Sequence, residues 1–346
     1  MTGLYIHIPF CRKVCPYCDF YRRVGEVWDE YISVLCKEMV EYKGEVVDTV
    51  YFGGGTPSLL KHHQLYTLFE SIYENFKLSP KEITIEANPE DVNGKNLEFW
   101  KTLGINRISI GVQTFNERGL KVLGRWHTPE ECIKAVEKSL SAGFNTNVDI
   151  IFAYPEQTLK DFEKDLEMIL RLKPQHISVY SLQIEEKTLY HYWYKRGKLN
   201  VPEDIREFYV LRDSILEDGG YIRYEISNFA KRGYECAHNM KYWKREKYLG
   251  LGPSAASFIP EKKLRFRNLP SLNLYMKNHP PPREYEILDD YKERIEKIYL
   301  GLRIGLKKEE LGDMGKVGEF LEEFEGNIRV KKEFLHIFDK IVEELI

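Results

Sequence analysis

Sulfur is scarce in this chain of 346 residues, which has six cysteines and six methionines. Three of the cysteines, Cys11, Cys15 and Cys18, fall within eight residues, while Cys36, Cys132 and Cys236 are scattered. That spacing excludes a disulfide framework for a chain of this size and fits a reducing cytoplasm, with a metal or redox use for the first three. Nowhere do 18 uncharged apolar residues run together, so no membrane-spanning helix is expected. The opening "MTGLYIHIPF" lacks a basic region followed by a long apolar one, so no secretory signal is expected. An excess of either charge is missing too: 51 Lys and Arg face 54 Asp and Glu, a formal net charge of -3. This excludes a nucleic-acid binder driven by phosphate neutralisation and leaves peripheral membrane contact open. No repeat or low-complexity tract stands out. What remains is 43% hydrophobic and 30% charged, a globular composition with length for one large domain plus an appendage or for two ordinary domains.

Short β-rich runs alternate with helical patterns from the start. "GLYIHIPF" precedes a helix near 27–43, "VVDTVYF" one near 59–76, and "EITIEA" one near 91–103. "RISIGV" precedes a helical stretch ending near 142, "TNVDIIFA" a helix near 158–172, and "HISVYSLQI" closes the series. Six such alternations predict parallel βαβ units, an α/β fold with an open or partial (β/α)6 barrel. Glycines and polar residues gather after the strands, in "FGGGTP", "EANPE", "GVQTF" and "DIIFAYPEQT", where parallel sheets place their ligands. The rhythm breaks near residue 200. We expect a barrel over 1–200, a smaller α+β segment over 201–278, a linker at "HPPPREY", and a helical C-terminal region over 279–346.

The stretch "FCRKVCPYC" holds the chemistry. Thiolates suit zinc, copper(I) and iron–sulfur clusters. A [4Fe–4S] cluster ordinarily takes four cysteines, and three would leave one iron open to a small chelating molecule. Zinc is the alternative, with His238 or Cys236 closing a tetrahedron, although zinc motifs usually carry C-x2-C pairs. Spacing favours the cluster, and zinc stays open on spacing alone.

"CRKVCPYC" after a strand ending "YIHIPF" resembles the radical S-adenosylmethionine (SAM) superfamily. The resemblance implies that Cys11, Cys15 and Cys18 hold a [4Fe–4S] cluster whose fourth iron binds SAM and cleaves it to a 5′-deoxyadenosyl radical. It carries Gly54, Gly55 and Thr56 of "YFGGGTP" and Glu86 of "TIEANP" to the methionine ammonium. It likewise brings Arg125 of "LGRWH" to the carboxylate, Asp149 to the ribose, and Gln113 to the same mouth. Within the superfamily the chain is similar to the coproporphyrinogen dehydrogenase-like branch, HemN and HemW, in which Tyr5 and Tyr17 match SAM contacts. Phe20 replaces the last cysteine of the C-x3-C-x2-C-x-C pattern of the oxidases in that branch, only ten residues precede Cys11, and "HNMKYW" matches the H-N-x-x-Y-W motif of its haem chaperones. That motif would place His238, Asn239, Tyr242 and Trp243 against haem.

Two departures from the branch are visible. "DIIFAYPEQT" carries Ala153, Tyr154 and Glu156 where relatives have Gly, Leu and Gly, and "GLGPSAAS" has Ala255-Ala256 where relatives often end in Gly-Ala-His. The resemblance implies a haem chaperone with a cluster, SAM, an electron donor and haem-acceptor proteins. The alternatives are an oxygen-independent coproporphyrinogen III oxidase and a zinc-stapled α/β protein without radical chemistry.

Overall fold

The computed structural model describes residues 1–202, 204–311, 315–324 and 326–346. Six strands run in parallel: Thr2–Ile8 (β1), Val46–Gly54 (β2), Lys77–Ala87 (β3), Arg107–Gln113 (β4), Asn145–Phe152 (β5) and His176–Ser181 (β6). Between them lie the helices Asp29–Val40 (α1), His62–Asn75 (α2), Gly94–Thr102 (α3), Glu117–Val122 (α4), Pro129–Ser141 (α5) and Leu159–Leu172 (α6). Helix starts follow their local chemistry. Thr128 accepts from the Glu131 amide while Glu131 reaches back, and Thr158 and Asp161 form the same box.

Parallel strands buried on both faces usually read as unbroken apolar runs, yet these alternate. Leu4, Ile6 and Ile8 of β1, Val50 and Phe52 of β2, and Ile108, Ile110 and Val112 of β4 are fully buried towards the helices. Their neighbours on the other face are Tyr5, His7, Tyr51, Glu86, Ser109 and Asp149. A period of two therefore gives the sheet an apolar outer face and a polar inner one. Such a lumen is suited to a polar ligand.

The sheet does not stop at residue 200, where the strand–helix alternation ends. After the helices Leu189–Tyr194 (α7) and Arg206–Asp218 (α8), the strands Ile222–Arg223 (β7) and Asn228–Ala230 (β8) pair antiparallel beyond β6. The helix Ala237–Trp243 (α9) follows, and then Tyr248–Leu251 (β9) returns to pair parallel with β1 on its free side. Ala256–Ile259 (β10), Leu264–Asn268 (β11) and Arg283–Ile287 (β12) extend that edge antiparallel. Twelve of the described strands make one sheet in the order β12-β11-β10-β9-β1-β2-β3-β4-β5-β6-β8-β7, with two free edges, so the barrel is open.

The expected linker at 279–285 is corrected here. Arg283–Ile287 is the outermost strand, anchored through Arg283 to Glu38 at 3.2 Å and Glu41 at 2.9 Å. The helix Leu272–Lys277 (α10) precedes that strand, and the C-terminal region holds the helix Asp290–Ile304 (α11) as well as a hairpin, Leu321–Phe324 (β13) with Asn327–Val330 (β14), that the sequence did not announce. No described helix is long and apolar enough to cross a membrane.

Candidate functional site

Cys11, Cys15 and Cys18 lie on the loop that leaves the carboxyl end of β1. A short parallel ladder, Phe10–Cys11 with Arg23–Val24, closes its base. Arg12 grips Asp91 with two hydrogen bonds, of 2.9 and 2.6 Å, and Ser58 donates to the same carboxylate at 2.6 Å. The loop is thus tied to the segments following β2 and β3. All three thiols are free, Cys11 and Cys15 are buried, and Cys18 is half-buried. Burial pushes the Cys11 thiol up and the Cys18 thiol to about 11. Burial thus favours the protonated form of Cys11 and Cys18, and an incoming metal centre has to displace those protons.

Arg125 bridges this loop to the barrel. It donates to Cys15 Sγ at 3.5 Å, to Asn88 Oδ1 at 2.6 Å and to the Gly111 carbonyl at 3.2 Å, while its buried Nε has no partner. Asn88 was not singled out in the sequence, where "NP" after a strand reads as a turn.

The three-glycine turn is dictated by crowding. A Cβ on Gly54, whose φ is +109°, would meet His7 Nδ1 at 2.4 Å, and one on Gly55 would meet the Ile8 and Phe10 carbonyls at 2.7 Å. The Gly54 amide donates to Glu86 Oε2 at 3.1 Å, and Tyr51 donates to Glu86 Oε1 at 3.0 Å. Glu86 is half-buried, and desolvation together with the nearby charge of Asp149 raises its carboxyl to about 7. Asp149 accepts from Ser109 at 2.9 Å and from Asn147 at 2.7 Å, yet burial still raises its carboxyl. Tyr5 donates to His7 Nδ1 at 3.0 Å, and His7 Nε2 donates to the Tyr21 carbonyl at 2.9 Å. A carbonyl only accepts, so this fixes the tautomer; burial lowers the His7 ring to about 4. Thr56 is buried beside Cys11. Tyr17 lies near Arg125 and Cys15, its ring 6.3 Å from Tyr190. Gln113 ends β4 at φ +70°, where the pairing register shifts. The structure therefore gathers every residue expected around the cluster and SAM on the mouth and inner face of the barrel.

His238 and Cys236 are elsewhere. Helix α9 packs under the amino ends of the strands, where Glu82 of β3 accepts from the amides of Ala237 at 3.0 Å and His238 at 3.1 Å and from Cys236 Sγ at 3.3 Å. His238 is fully buried, with Nδ1 2.9 Å from Thr49 Oγ1 and Nε2 2.7 Å from Tyr242 OH. Burial, with Lys241 and Arg107 nearby, lowers its ring to about 3. Neither residue is placed to complete a tetrahedron with the thiols, which corrects the zinc alternative closed by His238 or Cys236. Trp243 lies beneath the Arg303 guanidinium at 4.5 Å, and Asn239 is half-buried on α9.

The model of the radical SAM superfamily matches residues 5–169. The heme chaperone HemW of Lactococcus lactis is 36% identical over 100% of this chain and 89% of its own length. HemW of Escherichia coli is 39% identical over 73% of this chain and 69% of its own. The chain belongs to the HemW family of radical SAM proteins. The structure of coproporphyrinogen III oxidase (HemN) from Escherichia coli superposes with a TM-score of 0.84 over 99% of this chain and 89% of that one, at 23% identity, which establishes the shared fold. Membership implies a [4Fe–4S] cluster and SAM, and this HemW-family site fits both. It offers three buried or half-buried free thiols, a glycine turn too tightly packed for any Cβ, a half-buried carboxylate, and a half-buried guanidinium with an unpartnered Nε.

Proposed function

We propose that this chain is a haem chaperone of the reducing cytoplasm, which binds haem and passes it to acceptor proteins while carrying a [4Fe–4S] cluster and SAM. The observation that carries this reading is its likeness to heme chaperone HemW along the whole chain, including the segment His238–Trp243. In the proposal, Cys11, Cys15 and Cys18 hold three irons. Arg125 orients the SAM carboxylate and offsets the charge of the cluster; Glu86 and the backbone at Gly54, Gly55 and Thr56 receive the ammonium. Asp149 takes the ribose hydroxyls, with Gln113, Tyr5 and Tyr17 lining the mouth. When bound, the cluster supplies one electron, from an external donor, to SAM. The protein's part is to position SAM and keep water from it.

Haem contact is proposed on α9, through His238, Asn239, Tyr242 and Trp243. His238 is enclosed with both ring nitrogens engaged, so ligation of iron by it requires α9 to swing outward and give up a hydrogen bond. The test is transfer: the haem-loaded protein mixed with apo-myoglobin should lose its haem to the acceptor faster than free haem aggregates would supply it. Retention of haem under those conditions contradicts a delivery role.

A further inference from the structure

The two faces of α9 lead to different places. Helical spacing sends His238 and Tyr242, four residues apart, towards the barrel. Met240 and Lys244, also four apart, line a separate groove of about 420 Å³ between α9, β7, the end of α11 and the β13–β14 hairpin. Trp243 braces its wall through the stacked Arg303.

The groove is strongly cationic. Arg223, Arg232, Lys244, Arg303 and Arg329 line it against one acid, Glu235. Three of the five each hold one carboxylate: Arg223 lies 3.0 Å from Asp213, Arg303 3.2 Å from Glu225, and Arg329 2.8 Å from Glu322. Arg232 and Lys244 form no ion pair among the described residues.

Arg223 carries the argument. It is only 6% exposed, yet its Nη2 has no hydrogen-bond partner, and the buried Nε of Arg303 has none either. A desolvated guanidinium donor without an acceptor is costly, and an anion in the groove supplies one once the side chain turns towards it. Carboxylates match the guanidinium fork. Tyr224, Met240 and Phe324 add apolar surface beside the charges. The size lies within the range of small-molecule sites. A flat apolar body with two acids on one edge is the complementary shape.

We propose that this groove receives the propionate edge of haem, with the macrocycle resting against Met240, Tyr224 and Phe324. The inference rests on the haem-chaperone reading and locates the ligand on the outer face of the motif helix, while His238 and Tyr242 face the barrel and reach haem only if α9 swings outward. The experiment titrates the cluster-loaded protein with haem and with haem dimethyl ester, whose acids are capped, following the Soret band. In the wild type the ester should bind at least tenfold more weakly than haem. The double variant R232E/K244E, altered at two exposed positions, should bind haem at least tenfold more weakly and no longer distinguish acid from ester, with cluster absorption and SAM affinity unchanged. Equal binding of acid and ester by the wild type, or wild-type haem affinity in the double variant, overturns the groove and leaves the chaperone reading standing. Absence of haem binding by the wild type overturns both. The ester comparison uses the unaltered chain, so a folding defect in the variant cannot hide the answer.

Discussion

His238 lies flat against Tyr51, ring centroids 5.2 Å apart and planes within 28°. Tyr51 in turn donates to Glu86, the carboxylate proposed to receive the SAM ammonium. A helix far along the chain therefore supports the floor of the SAM site. Stacked ring pairs contribute about 0.5–1.5 kcal/mol beyond their buried area. His238→Ala should loosen Tyr51 and weaken SAM binding by up to about tenfold, with cluster content intact. Calorimetry showing wild-type SAM affinity in a fully loaded variant contradicts this coupling.

Glu86 gives a pH dependence with a definite sign. Its carboxyl is raised from the ordinary 4.5 to about 7 in the folded chain. Its contribution to stability is present below 4.5 and lost as pH rises through 7, because the folded state holds the proton longer. An ammonium ligand needs the ionised carboxylate while keeping its own proton, which an α-amino group holds below about 7.7, so SAM should bind more tightly at pH 7 than at pH 5.5. In Glu86→Gln the affinity should be weaker and nearly flat across that range. A wild-type affinity independent of pH removes Glu86 from the ammonium site.

Ala153 and Glu156 occupy the left-handed region, at φ +56° and +64°. These are the two positions at which the related pattern has glycine. The left-handed conformation costs a non-glycine residue roughly 1–2 kcal/mol, partly offset by the greater freedom glycine gains on unfolding. Ala153→Gly and Glu156→Gly should each raise the denaturant midpoint, by about 0.5–1 kcal/mol in stability. Glu156→Gly gives up an ion pair with Arg118, but both partners are exposed, where such pairs contribute little. A lowered midpoint in both variants contradicts the strain argument.

The six strand–helix units and the thiol trio were legible because each is a local pattern. The remainder depended on pairings far apart in sequence. "YLGL" at 248–251 is too short and glycine-rich to read as a strand, and it becomes one only by pairing with Gly3–Ile6. Asn88 gains importance only when Arg125 reaches it. The polar inner face was visible as the odd residues of "LYIHI", but nothing local said that α9 would sit beneath it. For the same reason sequence distance alone gave no sign of the contact between His238 and Tyr51.

The cysteines divide into two classes. Cys132 is fully buried in α5, Cys236 donates to Glu82, and Cys36 lies on α1, 4.0 Å from the Thr67 carbonyl. Replacing Cys11, Cys15 or Cys18 with Ala should abolish the broad absorption near roughly 400 nm of a thiolate-bound cluster. Cys36→Ala, Cys132→Ala and Cys236→Ala should retain iron and acid-labile sulfide in full. Loss of the cluster in Cys132→Ala would sink the three-ligand assignment.

The central claim is a chaperone, as against a porphyrinogen-oxidising enzyme. The measurement that bears on it most directly is anaerobic incubation of the cluster-loaded protein with SAM and a reductant, supplied in parallel with haem and with coproporphyrinogen III. Haem should bind with a shifted Soret band, and coproporphyrinogen III should be recovered without decarboxylation. Formation of protoporphyrinogen IX, with 5′-deoxyadenosine released in step, would contradict the account and make this chain an enzyme.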